Sequence, residues 1–225
     1  NFDQALQMVR EISLQYPITL VNSVNPYRIE GQKTGAFEIC QQLGEAPFFH
    51  AIPVGNAGNI TAYWKGYREY FEKGIIQSVP TMLGFQAAGA APIVKKRVIP
   101  HPKTLATAIK IGNPASWKYA EEARDASGGL IDSVTDAEIV AAYKWLAGRE
   151  GVFVEPASAA SVAGILKLAG KGFFKRARMK HGSGAKVVCI LTGHGLKDPD
   201  RAILSVAKPL RTSADMKAIL KAIKL

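Results

Sequence analysis

Apolar residues follow two different spacings along the chain, and the two spacings alternate. Short runs rich in β-branched and aromatic residues, typical of strands, are separated by longer stretches in which apolar residues recur every three or four positions, as on one face of a helix. This alternation predicts an α/β fold with a mainly parallel sheet flanked by helices. The predicted strands are 18–21, 48–52, 81–86, 151–154 and 186–191, and the predicted helices are 2–15, 29–43, 60–73, 104–109, 116–126, 136–149 and 157–168.

The strand predicted over 186–191 has the strongest strand signal of the chain, the continuous apolar run Val187-Val188-Cys189-Ile190-Leu191. Such a run is typical of a parallel strand that is buried on both faces. It ends at Thr192-Gly193-His194-Gly195. Ligands of open parallel sheets bind at the carboxyl ends of strands, so this glycine-bearing end is a candidate ligand site.

A second glycine-bearing strand end is the loop Pro53-Val54-Gly55-Asn56-Ala57-Gly58-Asn59, which joins the strand 48–52 to a helix. Its two glycines let the backbone turn sharply and approach a ligand closely. The helix adds unpaired N–H groups and the positive end of its dipole, which favour a phosphate or carboxylate. The loop lacks the Lys-Ser/Thr pair of a Walker A loop and the Gly-x-Gly-x-x-Gly spacing of dinucleotide folds. It is a candidate anion-binding loop, and an ordinary strand-to-helix turn is the alternative.

Composition excludes several function classes. The chain has 225 residues with 48% hydrophobic and 21% charged residues, as in globular proteins, and no apolar run approaches the ~20 residues of a membrane span. The net charge of +11 raises the question of nucleic acid, but the basic residues are not interleaved with aromatic ones at a regular spacing and no nucleic-acid-binding motif is present, so we expect no such partner. Cys40 and Cys189 form no disulfide framework or metal-ligand spacing, so we expect no metal and a cytoplasmic setting.

Five blocks of the sequence together resemble the threonine synthases, which are pyridoxal-phosphate enzymes with the tryptophan-synthase-β-like fold, fold type II. These blocks occur in the family's order, span nearly the whole chain, and identify a family more specifically than one loop does. They run from Val21 to Thr34, Pro53 to Thr61, Gly84 to Pro92, Glu155 to Ala160 and Leu191 to Pro199.

The resemblance implies that pyridoxal 5'-phosphate is the cofactor and that Thr192 faces its pyridine nitrogen. A carboxylate at this position keeps the ring nitrogen protonated, whereas a hydroxyl does not. The ring is therefore a weaker electron sink beside a hydroxyl. A hydroxyl that satisfies only its own turn is the alternative interpretation of Thr192. The residues implied to bind the cofactor phosphate are Gly55, Asn56, Ala57, Gly58 and Asn59.

The resemblance further implies a site for the phosphate of the substrate, O-phospho-L-homoserine, at Asn22, Ser23 and Arg28, with Asn56 between the two anions. Arginine suits this role because its planar donors grip phosphate oxygens in pairs, although a surface arginine in a turn is the alternative. The implied enzyme is a carbon–oxygen lyase of threonine biosynthesis. It removes protons from the α and β carbons of the substrate, expels the phosphate, adds water at the β carbon and releases L-threonine.

The Schiff-base lysine of the family lies in a Ser-Phe-Lys-Asp-like segment, N-terminal to every matched block. This chain has no such segment, and neither Lys33 nor Lys197 lies in that motif. We therefore expect the C-terminal portion of a threonine synthase, inactive alone, whose lysine precedes Asn1. Residues 1–46 would end an incomplete smaller domain, and residues 47–225 would form the larger cofactor-binding domain.

Three alternatives stay open at this point. One is another fold-type-II enzyme, such as a threonine dehydratase or cysteine synthase, which needs no second phosphate site. The second is a non-catalytic module that kept the anion-binding loop, and the third, suggested by charge alone, is a nucleic-acid-binding protein. A homodimer is left open as well. His194, between two glycines, is not assigned a catalytic role.

Overall fold

A computed structural model describes residues 2–22, 25–175 and 185–224 of the chain. Within these residues a sheet of four parallel strands, in the order β3-β2-β1-β4, organises the fold. The prediction of an α/β fold with a parallel sheet flanked by helices is confirmed. The strands are β1 (Phe49–Pro53), β2 (Thr81–Ala87), β3 (Leu130–Val134) and β4 (Val187–Cys189).

Helices lie before, between and after the strands. In the described part of the chain no helix has the length and apolar character needed to cross a bilayer. A π-helical turn, Leu146–Glu150, and two 3₁₀ turns, Thr107–Ile109 and Gly195–Lys197, connect the longer elements. The α-helices are α1 (Phe2–Gln15), α2 (Tyr27–Gln32), α3 (Thr34–Leu43), α4 (Gly58–Glu72), α5 (Pro92–Lys95), α6 (Trp117–Ala126), α7 (Asp136–Trp145), α8 (Pro156–Gly170), α9 (Pro199–Ser205) and α10 (Met216–Ala222).

Strand β1 separates two apolar clusters because successive side chains of a strand point to opposite faces. Phe49 and Ala51 belong to the cluster that also holds residues of α7 and α8. Ile52 belongs to the cluster that holds residues of α3, α4 and α6. All five residues of β1 are buried, so the loop that follows this strand starts from a fixed position.

The small residues after β2 pack against the chain itself. Lys103 N donates to Gly89 O at 2.9 Å, and a Cβ added at Gly89 would overlap the carbonyl oxygen of Lys103. Ala88 N donates to Val134 O at 2.8 Å. Close backbone packing therefore explains the small residues of the run 87–91.

Several helix predictions hold with small changes. The predicted helix 29–43 is interrupted only at Lys33, which separates α2 from α3, and α3 ends at Gly44 in the left-handed conformation (φ 77°). Thr135 and Glu138 form the capping box that begins α7. The helix predicted over 104–109 is wrong except for the 3₁₀ turn Thr107–Ile109.

The strand predictions need more correction. Residues 18–21 form no strand, since Ile18 and Val21 are exposed and pair with no neighbouring strand among the described residues. The run 151–154 contributes only an isolated bridge between Val154 and His194. Strand β4 is short and lies at an edge of the described sheet, with Val187 38% exposed, so the prediction of a strand buried on both faces is wrong for it.

Candidate functional site

An open cavity of about 500 Å³ lies at the carboxyl end of β1. The loop 53–59 lines it, together with residues of α2, the chain segment that follows β4, and two charged side chains from the start of α8 and the 3₁₀ turn 195–197. This position follows the rule that ligands of parallel sheets bind beyond the carboxyl ends of strands. The lining residues that the argument uses are Arg28, Gln32, Asn56, Glu155, Thr192 and Lys197.

The loop 53–59 is held by β2 and by the first turn of α4. Val54 N donates to Phe85 O at 2.8 Å, and Thr61 Oγ1 donates to Ala57 O at 2.8 Å. The left-handed residue is Ala57, with φ 66°, and neither Gly55 nor Gly58 has a positive φ. Gly55 is needed for close packing instead, because a Cβ there would lie 3.0 Å from Ala108 O.

The loop presents hydrogen-bond donors to the cavity. Because α4 begins at Gly58, the amides of its first turn lack intrahelical acceptors and carry the positive end of the helix dipole. Asn56 Oδ1 accepts from Ala115 N at 2.6 Å and Asn56 O accepts from Ser116 N at 3.1 Å. Asn56 Nδ2 is buried without a partner among the described residues. An unpaired buried donor beside free amides fits an anionic group such as a phosphate.

Arg28 lines the same cavity as this loop and is connected to it through Gln32. With the Gln32 amide assigned so that its oxygen faces Arg28, this oxygen accepts from Arg28 Nη2 at 2.8 Å and from Nε at 3.1 Å. The Gln32 nitrogen then donates to Asn59 Oδ1 at 3.2 Å. A guanidinium oriented by a side chain that also contacts the anion-binding loop can bind a second anion next to the first.

The other two residues predicted for the second anion are Asn22 and Ser23. Asn22 is partly buried and its carbonyl accepts from Asn25 N at 3.0 Å, but it is not among the residues that line the cavity. Ser23 lies outside the described residues. The structure thus brings Arg28 and Asn56 together and does not bring Asn22 to them.

Thr192 lies at the cavity opposite the buried start of α8. Its Oγ1 is 3.0 Å from Ser158 Oγ and 3.4 Å from Glu155 Oε1. Ser158 is fully buried, and its Oγ accepts from Gly193 N at 2.7 Å. Glu155 is 4% exposed, and its Oε2 forms a 3.0 Å ion pair with Lys197 Nζ.

Sequence reasoning missed Gln32, Ser158 and Glu155 as residues of this cavity or its immediate support. Gln32 looked like an ordinary helix residue, and Glu155 stood before Pro156, where acidic residues commonly begin helices. One signal was available for all three residues, because each lies in a block that carried the family resemblance. The contact of Glu155 with a segment 37 residues further along becomes visible only in three dimensions.

The remaining histidine and lysine candidates have structural roles. His194 Nδ1 accepts from Leu196 N at 3.1 Å and so begins the 3₁₀ turn 195–197. Lys33 Nζ pairs with Glu30 at 2.7 Å and with Glu69 at 2.8 Å, which joins α2 to α4. His50 is fully buried and its Nδ1 lies 3.0 Å from Tyr67 Oη; burial lowers the pKa of His50 to about 3.

Comparison with protein families and curated proteins identifies close relatives. The profile of the family described as pyridoxal-phosphate dependent enzyme matches residues 1–193. A threonine synthase of Halalkalibacterium halodurans is 59% identical over 225 residues, which are 100% of this chain and 61% of that protein. A threonine synthase of Methanocaldococcus jannaschii is 49% identical and is matched over 56% of its length. The chain thus spans about 61% of the length of the first of these relatives.

Solved structures share the fold at low sequence identity. Maize serine racemase matches with a TM-score of 0.64 and 21% identity, over 87% of this chain and 57% of that chain. A mutant of O-ureido-L-serine synthase, bound to O-ureido-L-serine, matches with a TM-score of 0.69 and 15% identity, over 99% of this chain and 62% of that chain. At these identities the likeness concerns the fold alone.

Proposed function

The chain belongs to the pyridoxal-phosphate dependent enzyme family, and we propose that it is the part of a threonine synthase that binds the cofactor and the substrate phosphate. The observation that carries this proposal is that one cavity is lined both by the loop 53–59 and by Arg28. Two anions can then lie side by side, one on the loop and one on the guanidinium. Relatives called threonine synthase, at 49–61% identity, support the assignment.

The cofactor phosphate is assigned to the loop. Gly55, Asn56, Ala57, Gly58 and Asn59 would hold it through backbone amides, the start of α4 and the unpaired Nδ2 of Asn56. Bound pyridoxal phosphate supplies an electron sink for reactions at the carbons of an amino acid. Thr192 would face the ring nitrogen, and Asn59 would keep Gln32 in place beside Arg28.

The substrate phosphate is assigned to Arg28, with Asn56 between the two anions and Ser23 as a further proposed ligand, whereas Asn22, which does not line the cavity, is not assigned to it. The Arg28 side chain would orient O-phospho-L-homoserine so that its phosphate can leave and water can add at the β carbon. Gln32 accepts two hydrogen bonds from Arg28, so the guanidinium loses less side-chain freedom on binding. The products would be L-threonine and phosphate.

The proposal also includes the organisation of the whole protein. Residues 1–46 would complete the smaller domain, residues 47–225 would form the larger domain, and the cofactor-linking lysine would come from a segment that precedes the matched blocks. The protein would act in the cytoplasm on a small-molecule substrate, without nucleic acid, and would assemble as a homodimer.

The test uses the full-length protein that contains this chain. Arg28→Ala should raise the KM for O-phospho-L-homoserine by about 100-fold, because it removes the charge-assisted hydrogen bonding of the guanidinium to the phosphate, and one such bond contributes roughly 1.5–3 kcal/mol. Arg28→Lys should recover part of the loss, and Arg124→Ala, which removes an arginine on α6, should change nothing. Equal loss with non-phosphorylated amino acids would contradict the proposal and favour a fold-type-II enzyme such as a threonine dehydratase.

A further inference from the structure

Glu155 is a buried carboxylate at the cavity to which the proposed function assigns no role. It occupies the N-cap position of α8, where an acidic side chain usually accepts a hydrogen bond from a helix amide, but it makes no such bond. Its carboxylate turns instead to the segment 192–197, pairing with Lys197 and approaching Thr192 Oγ1 at 3.4 Å. An ideal Cβ on Gly193 would overlap this carboxylate, so the segment can approach it closely because residue 193 is glycine.

The charge state of Glu155 decides the direction of the neighbouring hydroxyl proton. An ionised carboxylate only accepts hydrogen bonds, so Thr192 is the donor in their contact. Ser158 Oγ accepts from Gly193 N at 2.7 Å, and its own proton can go to Thr192 Oγ1 at 3.0 Å or to Gly193 O at 3.1 Å. When the single hydroxyl proton of Thr192 is directed to Glu155, the Thr192 oxygen keeps a lone pair that can accept a hydrogen bond from a ligand in the cavity.

Lys197 is the counter-ion of Glu155, with 3.0 Å between Lys197 Nζ and Glu155 Oε2. The side chain of Glu155 is only 5% exposed, and a buried carboxylate without a counter-ion favours its neutral form. The Lys197 side chain is 61% exposed, so it compensates the buried charge while remaining mostly hydrated itself. The two residues therefore differ in what their removal does: loss of Glu155 leaves a solvated ammonium, whereas loss of Lys197 leaves a buried carboxylate.

We propose that Glu155, held by Lys197, is a positioning residue that turns the Thr192 hydroxyl into a hydrogen-bond acceptor toward the cavity. This inference rests on the proposed function, which puts the ring nitrogen of the cofactor against Thr192. An accepting hydroxyl favours a protonated ring nitrogen, which is the opposite of what the hydroxyl alone led us to expect. Glu155 would thereby restore part of the electron-withdrawing power that a carboxylate in direct contact with the ring would give.

The experiment measures the ¹⁵N chemical shift of the ring nitrogen in the full-length protein loaded with ¹⁵N-labelled pyridoxal phosphate. Glu155→Gln and Lys197→Met should both move the resonance toward the value of unprotonated pyridine. Lys197→Arg keeps the ion pair and should retain the wild-type shift. Glu121→Gln makes the same chemical change on α6, away from the cavity, and should also have no effect.

The outcomes separate the inference from the proposed function. If Thr192→Val moves the resonance and neither Glu155→Gln nor Lys197→Met does, Thr192 faces the ring and the positioning role of Glu155 is overturned. If none of the three variants moves it, the assignment of Thr192 to the ring nitrogen fails as well. If Glu155→Gln fails to fold, Lys197→Met alone still tests the positioning role of Glu155. The Lys197 side chain is mostly exposed, so we expect its replacement to leave the fold intact.

Discussion

The side-chain oxygen of Asn56 accepts a 2.6 Å hydrogen bond from Ala115 N, and the Nδ2 of the same amide is buried without a partner among the described residues. The segment before α6 therefore engages the oxygen of the Asn56 amide and leaves its nitrogen without a partner. This contact ties the anion-binding loop to a part of the chain 59 residues away.

Asn56→Asp tests whether the side-chain nitrogen of Asn56 binds the anion while its oxygen binds Ala115 N. The aspartate retains an acceptor for Ala115 N, so the fold should persist, but it replaces the unpaired donor with a negatively charged oxygen. Like-charge contact costs several kcal/mol, so the Kd of the full-length apoprotein for pyridoxal phosphate should rise by about 100-fold or more. Titration by cofactor absorbance measures this, with the exposed Asn113→Asp as the equal-charge control. Similar affinities for the two variants would show that Asn56 does not contact the anion.

Gly55→Ala tests whether the loop needs glycine for packing. A Cβ at residue 55 would lie 3.0 Å from both Ala108 O and Ile109 Cα, which are backbone atoms that cannot move aside cheaply. We expect the free energy of unfolding to fall by about 1–3 kcal/mol, as for other overpacked sites. Chemical denaturation measures it. Gly31→Ala is the matched control, because a Cβ there meets nothing within 4 Å. A Gly55→Ala variant as stable as that control would refute the close approach.

His50 should make the protein less stable in acid. Burial lowers its folded pKa to about 3, while its unfolded value stays near 6.5. The folded state therefore binds fewer protons than the unfolded state between these two values. The contribution of His50 is fully present above about pH 6.5 and is lost as the pH falls, by about 1.4 kcal/mol per pH unit.

Denaturant unfolding between pH 7 and pH 5 measures this loss for the wild type and for His50→Gln. The variant should lose less stability over the range, whatever its stability at pH 7. The exposed His101→Gln should keep the wild-type slope. If stability fell equally with pH in the wild type and in His50→Gln, the pKa of His50 would not be lowered in the folded protein, and the prediction would be contradicted.

The sequence predicted the parts of the fold that depend on local pattern. The loop 53–59 was found because glycine, a preceding apolar run and a following helix all lie within a few residues. Strand β3 was missed because Leu130-Ile131-Asp132-Ser133-Val134 mixes charged and apolar residues. In the structure Asp132 is compensated by a 2.9 Å ion pair with Lys167 of α8, a contact that local pattern does not reveal.

Local sequence pattern also failed to identify the residues of the site that depend on distant contacts. Arg28 was singled out through a family resemblance, whereas Gln32, which orients it, had no local signal. The apolar run 187–191 indicated a buried strand, yet burial depends on which strands lie beside it, and β4 has a partner on one side only among the described strands. Residues whose roles come from distant partners were therefore the ones that pattern alone did not identify.

A crystal structure of the full-length protein with pyridoxal phosphate tests the central claim most directly. The account predicts phosphate oxygens at about 2.7–3.2 Å from backbone amides of residues 55–59, with Arg28 facing the adjacent space. A cofactor phosphate bound away from this loop, or an Arg28 side chain directed out of the cavity, would contradict it.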